Sequence, residues 1–158
     1  MKPNIKCMQS AICEARKNLK LLHGGPFGAC IVKNNKILAV TRNTVLINSD
    51  PTCHAEINAI RIASKKIGNH DLSGCVIYST TEPCPMCFSA IHWAKIDEIV
   101  YGTLIQNVKK LGFNELSIPN QKMKSIGKSK VKITKNFLKD ECMRLLKDWS
   151  DLASIKIY

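Results

Sequence analysis

The sequence predicts an α/β fold: a three-layer α/β/α domain with a mixed, five-stranded central sheet, built from one domain over residues 1–158. Three observations predict it. Apolar residues recur at helical and at strand spacing in the order α-β-β-α-β-α-β-(α)-β-α. Two of the strands flank the tight turn Lys33-Asn34-Asn35-Lys36, as in a hairpin. Finally, 158 residues with no internal repeat and no interdomain linker suffice to bury one core.

Each element has its own signal. Ile5, Met8, Ile12, Ala15, Leu19 and Leu22 follow a three-to-four spacing that predicts a helix over 4–22, ended by His23-Gly24-Gly25-Pro26. Gly28–Val32 and Ile37–Thr41 are the hairpin strands. A loop from Arg42 to Thr52 carries Asp50-Pro51, a signal of an approaching helix. His54–Ile67 is that helix, with Ile57, Ile60, Ile62 and Ala63 expected inward. Leu72–Ser79 reads as a buried strand, Pro85–Ala94 as a helix and Glu98–Tyr101 as a strand. Val131–Thr134 is expected as a short last strand, and 137–152, with Phe137, Leu138, Met143, Leu145, Leu146 and Trp149, as the C-terminal helix. The stretch 102–129 gives the weakest pattern.

Hydrophobic content of 45% with 23% charged residues describes an ordinary soluble globular chain. Neither an apolar signal region after Met1-Lys2-Pro3-Asn4 nor an apolar run of membrane-spanning length is present, so a cytoplasmic location is expected. In that setting the eight cysteines are not a disulfide framework. Cys7, Cys13, Cys30, Cys75 and Cys142 sit among apolar residues and are expected to pack as small hydrophobes. Lysine and arginine total 24 against 12 acidic residues, a net charge of +12 that keeps a polyanionic partner open. The densest basic tract, Lys122, Lys124, Lys128, Lys130, Lys132 and Lys135, lacks the interleaved aromatics of a nucleic-acid surface.

The chemistry is concentrated in Cys53-His54-Ala55-Glu56 and Pro83-Cys84-Pro85-Met86-Cys87. One imidazole and two thiolates make a three-ligand zinc site, leaving the fourth tetrahedral position for water or substrate. A structural site closes all four positions, so His54, Cys84 and Cys87 point to catalysis, with Glu56 as the proton carrier. A lone C-x-x-C would equally suit a redox pair or half a zinc knuckle. The conjunction with H-x-E is what separates the readings. Both segments run from a loop into a helix start, where Pro85 suits the first helical position and the positive helix end favours thiolate. Cys53 is the one candidate for a competing fourth ligand. With it the site would close, as in a non-catalytic zinc-stabilised interaction domain.

The H-x-E … P-C-x-x-C pattern is the signature of zinc-dependent nucleoside and nucleobase deaminases. Across nearly its whole length the chain resembles the bacterial-type guanine deaminases of the cytidine deaminase-like superfamily. The resemblance rests on Gly24-Gly25-Pro26-Phe27-Gly28-Ala29, Asn43, Asp50-Pro51-Thr52, Glu82–Cys87, Ala90-Ile91-His92-Trp93-Ala94, Gly112-Phe113 and the terminal Tyr158. It implies zinc on His54, Cys84 and Cys87, and Glu56 as proton shuttle in hydrolysis of guanine to xanthine and ammonia. It further implies Phe27 stacked on the purine, Asn43 hydrogen-bonded to its edge, and Tyr158 closing the pocket, with a homodimer that in some members swaps its C-termini. Where the family usually places an aspartate two residues after Gly-Phe, this chain has Glu115, one methylene longer. The alternatives are a tRNA adenosine deaminase, which would suit the basic charge, and deamination of cytosine, of guanosine or other aminopurines, or of triazines.

Overall fold

A computed structural model describes residues 3–152 and 157. The hairpin forms as the turn chemistry requires. β1 (Gly28–Lys33) and β2 (Lys36–Arg42) run antiparallel, and Asn34 and Asn35 both take the positive φ of a two-residue primed turn, at 49° and 60°. β3 (Cys75–Thr81) lies antiparallel to β1, while β4 (Glu98–Thr103) and β5 (Lys132–Thr134) continue the sheet in parallel, giving the order β2-β1-β3-β4-β5. The mixed five-stranded sheet is therefore the one expected.

Helices cover both faces. α1 (Ile5–Arg16) packs Cys7, Met8, Ala11 and Ile12 against Cys30, Val32, Tyr78 and Val100. On the other face, α4 (Ala55–Ile67) and α5 (Pro85–Trp93) bury Ala55, Ala59, Ala63, Phe88 and Ile91 against Ala29, Ile31, Ile77, Ile99 and Tyr101. α8 (Lys139–Ser150) joins α1's side through Cys142 and carries Trp149 into a third, smaller cluster with Val108, Phe113 and Leu146. Three layers result. Among the described residues, no helix is long and apolar enough to cross a membrane.

The structure departs from the periodicity in several places. The expected helix over 4–22 breaks at Lys17, whose N–H turns back to Glu14, and resumes as α2 (Asn18–Leu21). The break buries Asn18, which a continuous amphipathic helix would not require. The 42–52 loop folds a short α3 (Val45–Asn48), and the weak 102–129 stretch contains α6 (Ile105–Lys109) and α7 (Asn120–Ile126). Ile62 is 48% exposed rather than inward. The buried face of α4 is Ala55, Glu56, Ala59 and Ala63, whose small side chains let the helix lie close on the sheet, and Ile62 sits about 100° round from Ala63. Cys13 is exposed, whereas Cys7, Cys30, Cys75 and Cys142 are buried as expected.

Candidate active site

Both metal-ligand segments end in the same backbone position. His54 is the N-cap of α4 and Cys84 the N-cap of α5, each with extended backbone, at φ −64° and ψ 155° and 167° respectively. An N-cap side chain leaves the helix axis toward the space in front of the first turn, so two neighbouring helix starts aim His54 and Cys84 at one point. Cys87, on the first turn after Pro85, converges on it from the same helix, as three-residue spacing allows. His54 Nδ1 lies 3.6 Å from Cys84 Sγ and 3.6 Å from Cys87 Sγ, and all three ligand atoms fall within 4.8 Å of one another. Bonds of about 2.3 Å to sulfur and about 2.0–2.1 Å to nitrogen at tetrahedral angles separate N and S by roughly 3.5 Å, so the donor set fits zinc. Cys53 stays outside this cluster. Its thiol donates to Asp50 at 3.2 Å and receives contacts from Asn48 and Arg61 at 3.5 Å.

The ligand trio is already polarised. The Cys84 thiol is lowered to about 4 by hydrogen bonding from Cys87 and by His54, against the cost of burial. The imidazole of His54 is raised to about 9: burial opposes its charge, but Cys84 outweighs it. Cys87 is pushed up by its bond to Cys84 and by burial. A cation that ligates thiolate and neutral imidazole displaces those protons on binding.

Glu56, only 5% exposed on the first turn of α4, is placed beside this trio. Ser79 Oγ donates to its Oε1 at 2.8 Å, and Cys87 Sγ lies 3.4 Å from Oε2. Burial raises the Glu56 carboxyl above its ordinary range. Ser79 was not singled out by its sequence. It lies in the run Tyr78-Ser79-Thr80-Thr81, and a succession of polar side chains in a strand buried on both faces was the available signal, since each needs a partner.

A cavity of about 510 Å³ opens in front of these ligands. His54, Cys84, Pro85 and Met86 line it together with Phe27, Val45, Leu46, Phe113, Asn114, Glu115 and Leu116. Phe27 meets Phe113 edge-on, with ring centroids 5.1 Å apart and planes at 67°. Gly25 is required there, because a Cβ on it would run into the Phe27 ring. Glu115 is a cavity wall residue whose carboxyl is raised to about 7, first by burial and then by the Cys84 charge.

Asn43 is placed differently from the other expected contacts. It is fully buried, its Oδ1 accepts from Val45 N–H at 3.1 Å, and it is not among the residues lining the cavity. Its side chain lies against Gly24, where a Cβ would clash. Buried Asn18 donates to the carbonyls of both Gly25 and Asn43, at 2.9 and 2.8 Å, tying this loop together. Tyr158 lies outside the described residues. Phe113 and Asn18 were not anticipated as site residues: Gly112-Phe113 entered only as part of the family resemblance, and the helical spacing over 4–22 gave no signal for Asn18.

With that geometry in view, the comparisons with known proteins are direct. Residues 1–103 match the family model described as the cytidine and deoxycytidylate deaminase zinc-binding region. The chain belongs to this family: it is a zinc-binding domain of the deaminase class of hydrolases, with the cytidine deaminase-like α/β fold. Within it, the chain is similar to a guanine deaminase of Bacillus subtilis, 45% identical over 58% of this chain and 59% of that enzyme. It is also similar to a tRNA-specific adenosine deaminase of Buchnera aphidicola, 36% identical over 77% of this chain and 72% of that enzyme. A solved guanine deaminase structure from Nitrosomonas europaea superposes with a TM-score of 0.85 at 26% identity, covering 96% of this chain and 87% of that one. The first of these alignments thus spans under two thirds of the relative's length.

Proposed function

We propose that the protein is a guanine deaminase, converting guanine and water to xanthine and ammonia. The observation that carries the reading is the cavity of about 510 Å³ lined by His54 and Cys84 of the ligand trio together with the aromatic pair Phe27 and Phe113 and the Glu115 carboxyl. That size and lining suit a flat, unsubstituted base. The 45% identity to the Bacillus subtilis guanine deaminase supports it.

Zinc held by His54, Cys84 and Cys87 supplies Lewis acidity that brings the pKa of water toward neutrality. The chain's own residues do the rest. Phe27 stacks on the purine, and Phe113, edge-on to it, fixes the ring's tilt. Glu115 accepts from the amidine N–H groups of the base, presenting C2 to the ligand trio. Glu56 takes a proton from the attacking water and passes it to a ring nitrogen, which makes C2 more electrophilic. It then takes the remaining proton of the hydroxyl now on C2 and delivers it to the amino group, so that the C2 carbonyl forms as the C2–N bond breaks and ammonia leaves. Ser79 holds Oε1 of Glu56 in place through both transfers. Asn43, whose N–H donates to the carbonyl of Phe27 at 3.0 Å, hydrogen-bonds the edge of the base.

The same reading places the enzyme as one domain in a reducing cytoplasm, in keeping with eight free cysteines. A homodimer is part of it, with Tyr158 closing the pocket. Trp93 and Ile126, 79% and 72% exposed, supply apolar surface for the partner subunit.

A second reading, tRNA adenosine deamination, is favoured by the +12 charge and the Buchnera relative. Ammonia release by the zinc-loaded protein, measured with guanine, guanosine, cytosine, adenine and an anticodon stem-loop RNA, separates the two. Guanine turnover insensitive to salt is expected. Turnover of the RNA alone, with affinity falling steeply as salt rises, would overturn the assignment.

A further inference from the structure

We propose that Asn120 and Glu82 form a positioning clasp that couples the cysteine-bearing loop to the 113–116 part of the pocket lining. The proposal rests on His54, Cys84 and Cys87 being the zinc ligands. Glu82 immediately precedes Pro83-Cys84, and its carboxylate is 4% exposed. It is the meeting point of three segments. Oε1 accepts from Asn120 N–H at 2.8 Å and from Tyr101 O–H at 3.2 Å, and Oε2 accepts from Ile105 N–H at 3.2 Å. Asn120 answers in the other direction: its Nδ2 donates to the carbonyl of Pro83 at 2.6 Å. One residue therefore grips the loop twice, at the Glu82 carboxylate and at the Pro83 carbonyl, both immediately before Cys84.

Asn120 also ends the irregular segment that contributes 113–116 to the pocket lining. Phe113, Asn114, Glu115 and Leu116 line the cavity, and α7 starts only at Asn120. Among the described residues, the backbone hydrogen bonds within 113–118 are short-range, from Glu115 N–H to the carbonyl of Phe113 and from Ile118 N–H to that of Leu116. Such a segment takes its position from its ends. One end is Phe113, packed in the Trp149 cluster, and the other is the clasp. The metal side and the base side thus share a mechanical link through one amide.

The link is an unfavourable choice for stability alone. Asn120 is fully buried, and its Oδ1 has no hydrogen-bond partner among the described residues. An unpaired buried acceptor costs free energy. An amide retained there at that cost is explained by what its Nδ2 and N–H hold. Outer partners of metal ligands act by fixing ligand orientation, and their loss weakens metal binding by about 10- to 100-fold.

The test uses Asn120→Ala and Asn120→Asp, each removing the Nδ2 donor, with Leu145→Ala in α8 as a control for general destabilisation. Two readouts need no substrate: the rate of zinc release to a chelator well below the melting temperature, and amide hydrogen exchange of 113–118. Zinc release about 10- to 100-fold faster in the Asn120 variants is expected. Removing zinc from the wild type should speed exchange at 113–118, whereas in the Asn120 variants that exchange is already fast and indifferent to zinc. Leu145→Ala should lower the melting temperature and leave both readouts unchanged. Wild-type zinc release in a folded Asn120 variant would overturn the clasp, as would equal acceleration in Leu145→Ala. Should Asn120→Ala fail to fold, the near-isosteric aspartate answers alone. A wild-type chain that binds no zinc would instead refute the ligand assignment.

Discussion

The two halves of the pocket are built on opposite principles. The metal half consists of His54, Cys84 and Cys87, carried on two short segments whose geometry is set locally by helix starts on neighbouring elements. The half assigned to the base under the proposed function gathers Phe27, Phe113 and Glu115 from two loops distant in sequence, and none of them lies within a helix or strand. Its order comes from tertiary packing: Gly24 and Gly25 admit Asn43 and Phe27, Asn18 ties the loop carbonyls, and Trp149 backs Phe113. The contrast teaches where reaction type and substrate choice are encoded. Reaction type resides in local, spacing-defined residues; substrate choice resides in packing that a few substitutions can redirect.

Substitutions should separate the halves. The largest effect is expected from Cys84→Ser, which removes the lowest-pKa thiol of the trio. Zinc content by metal analysis should fall, and because Lewis acidity contributes several kcal/mol, turnover should drop more than roughly a thousandfold. Retained activity with lost zinc would break the comparison. Glu115→Gln acts on the other half. One hydrogen bond to a charged group is lost, about 1.5–3 kcal/mol, so kcat/KM for the base should fall roughly 10- to 100-fold at unchanged zinc content. Steady-state kinetics on both proteins checks it.

Ser79→Ala sharpens the picture within the metal half. It frees Glu56 Oε1 without touching a ligand. A loss in kcat of about tenfold with KM and zinc content preserved marks Ser79 as a positioning residue. The smallest effect lies outside the pocket. The Glu14 carboxyl, though partly desolvated, is held below its ordinary range by Lys17 and Arg42. Its folded pKa is thus below its unfolded value, so its contribution is present above the unfolded value and disappears as pH falls through the folded one. Glu14→Gln should cost about 0.5–1 kcal/mol at neutral pH and nothing in strong acid, read from denaturant unfolding at both.

This division also explains what was legible in the sequence. The sheet, its hairpin and the helices over both faces followed from periodicity and turn residues, because Asn34-Asn35 and the alternating apolar runs act locally. The ligand trio was legible because three-residue spacing and Pro85 at a helix start define the Cys84–Cys87 pair locally, and the H-x-E pattern marks His54 as its partner. Ser79 was not, since only the crossing of α4 over β3 brings it to Glu56. Nor were Asn120 and Asn18, whose burial depends on where irregular chain returns. The inward face of α4 was misjudged for a related reason. Close helix–sheet approach selected alanines over the bulkier Ile62, a choice that depends on interaxial distance rather than on hydrophobicity.

The central claim, that chemistry and recognition occupy separate halves, is tested most directly by Glu56→Gln. Zinc content, guanine binding by calorimetry and ammonia release are measured on the same preparation. The account predicts wild-type zinc and guanine binding within a few-fold, with turnover reduced by about 10²–10⁴. Near-normal turnover, or guanine binding lost together with turnover while zinc is retained, would contradict it.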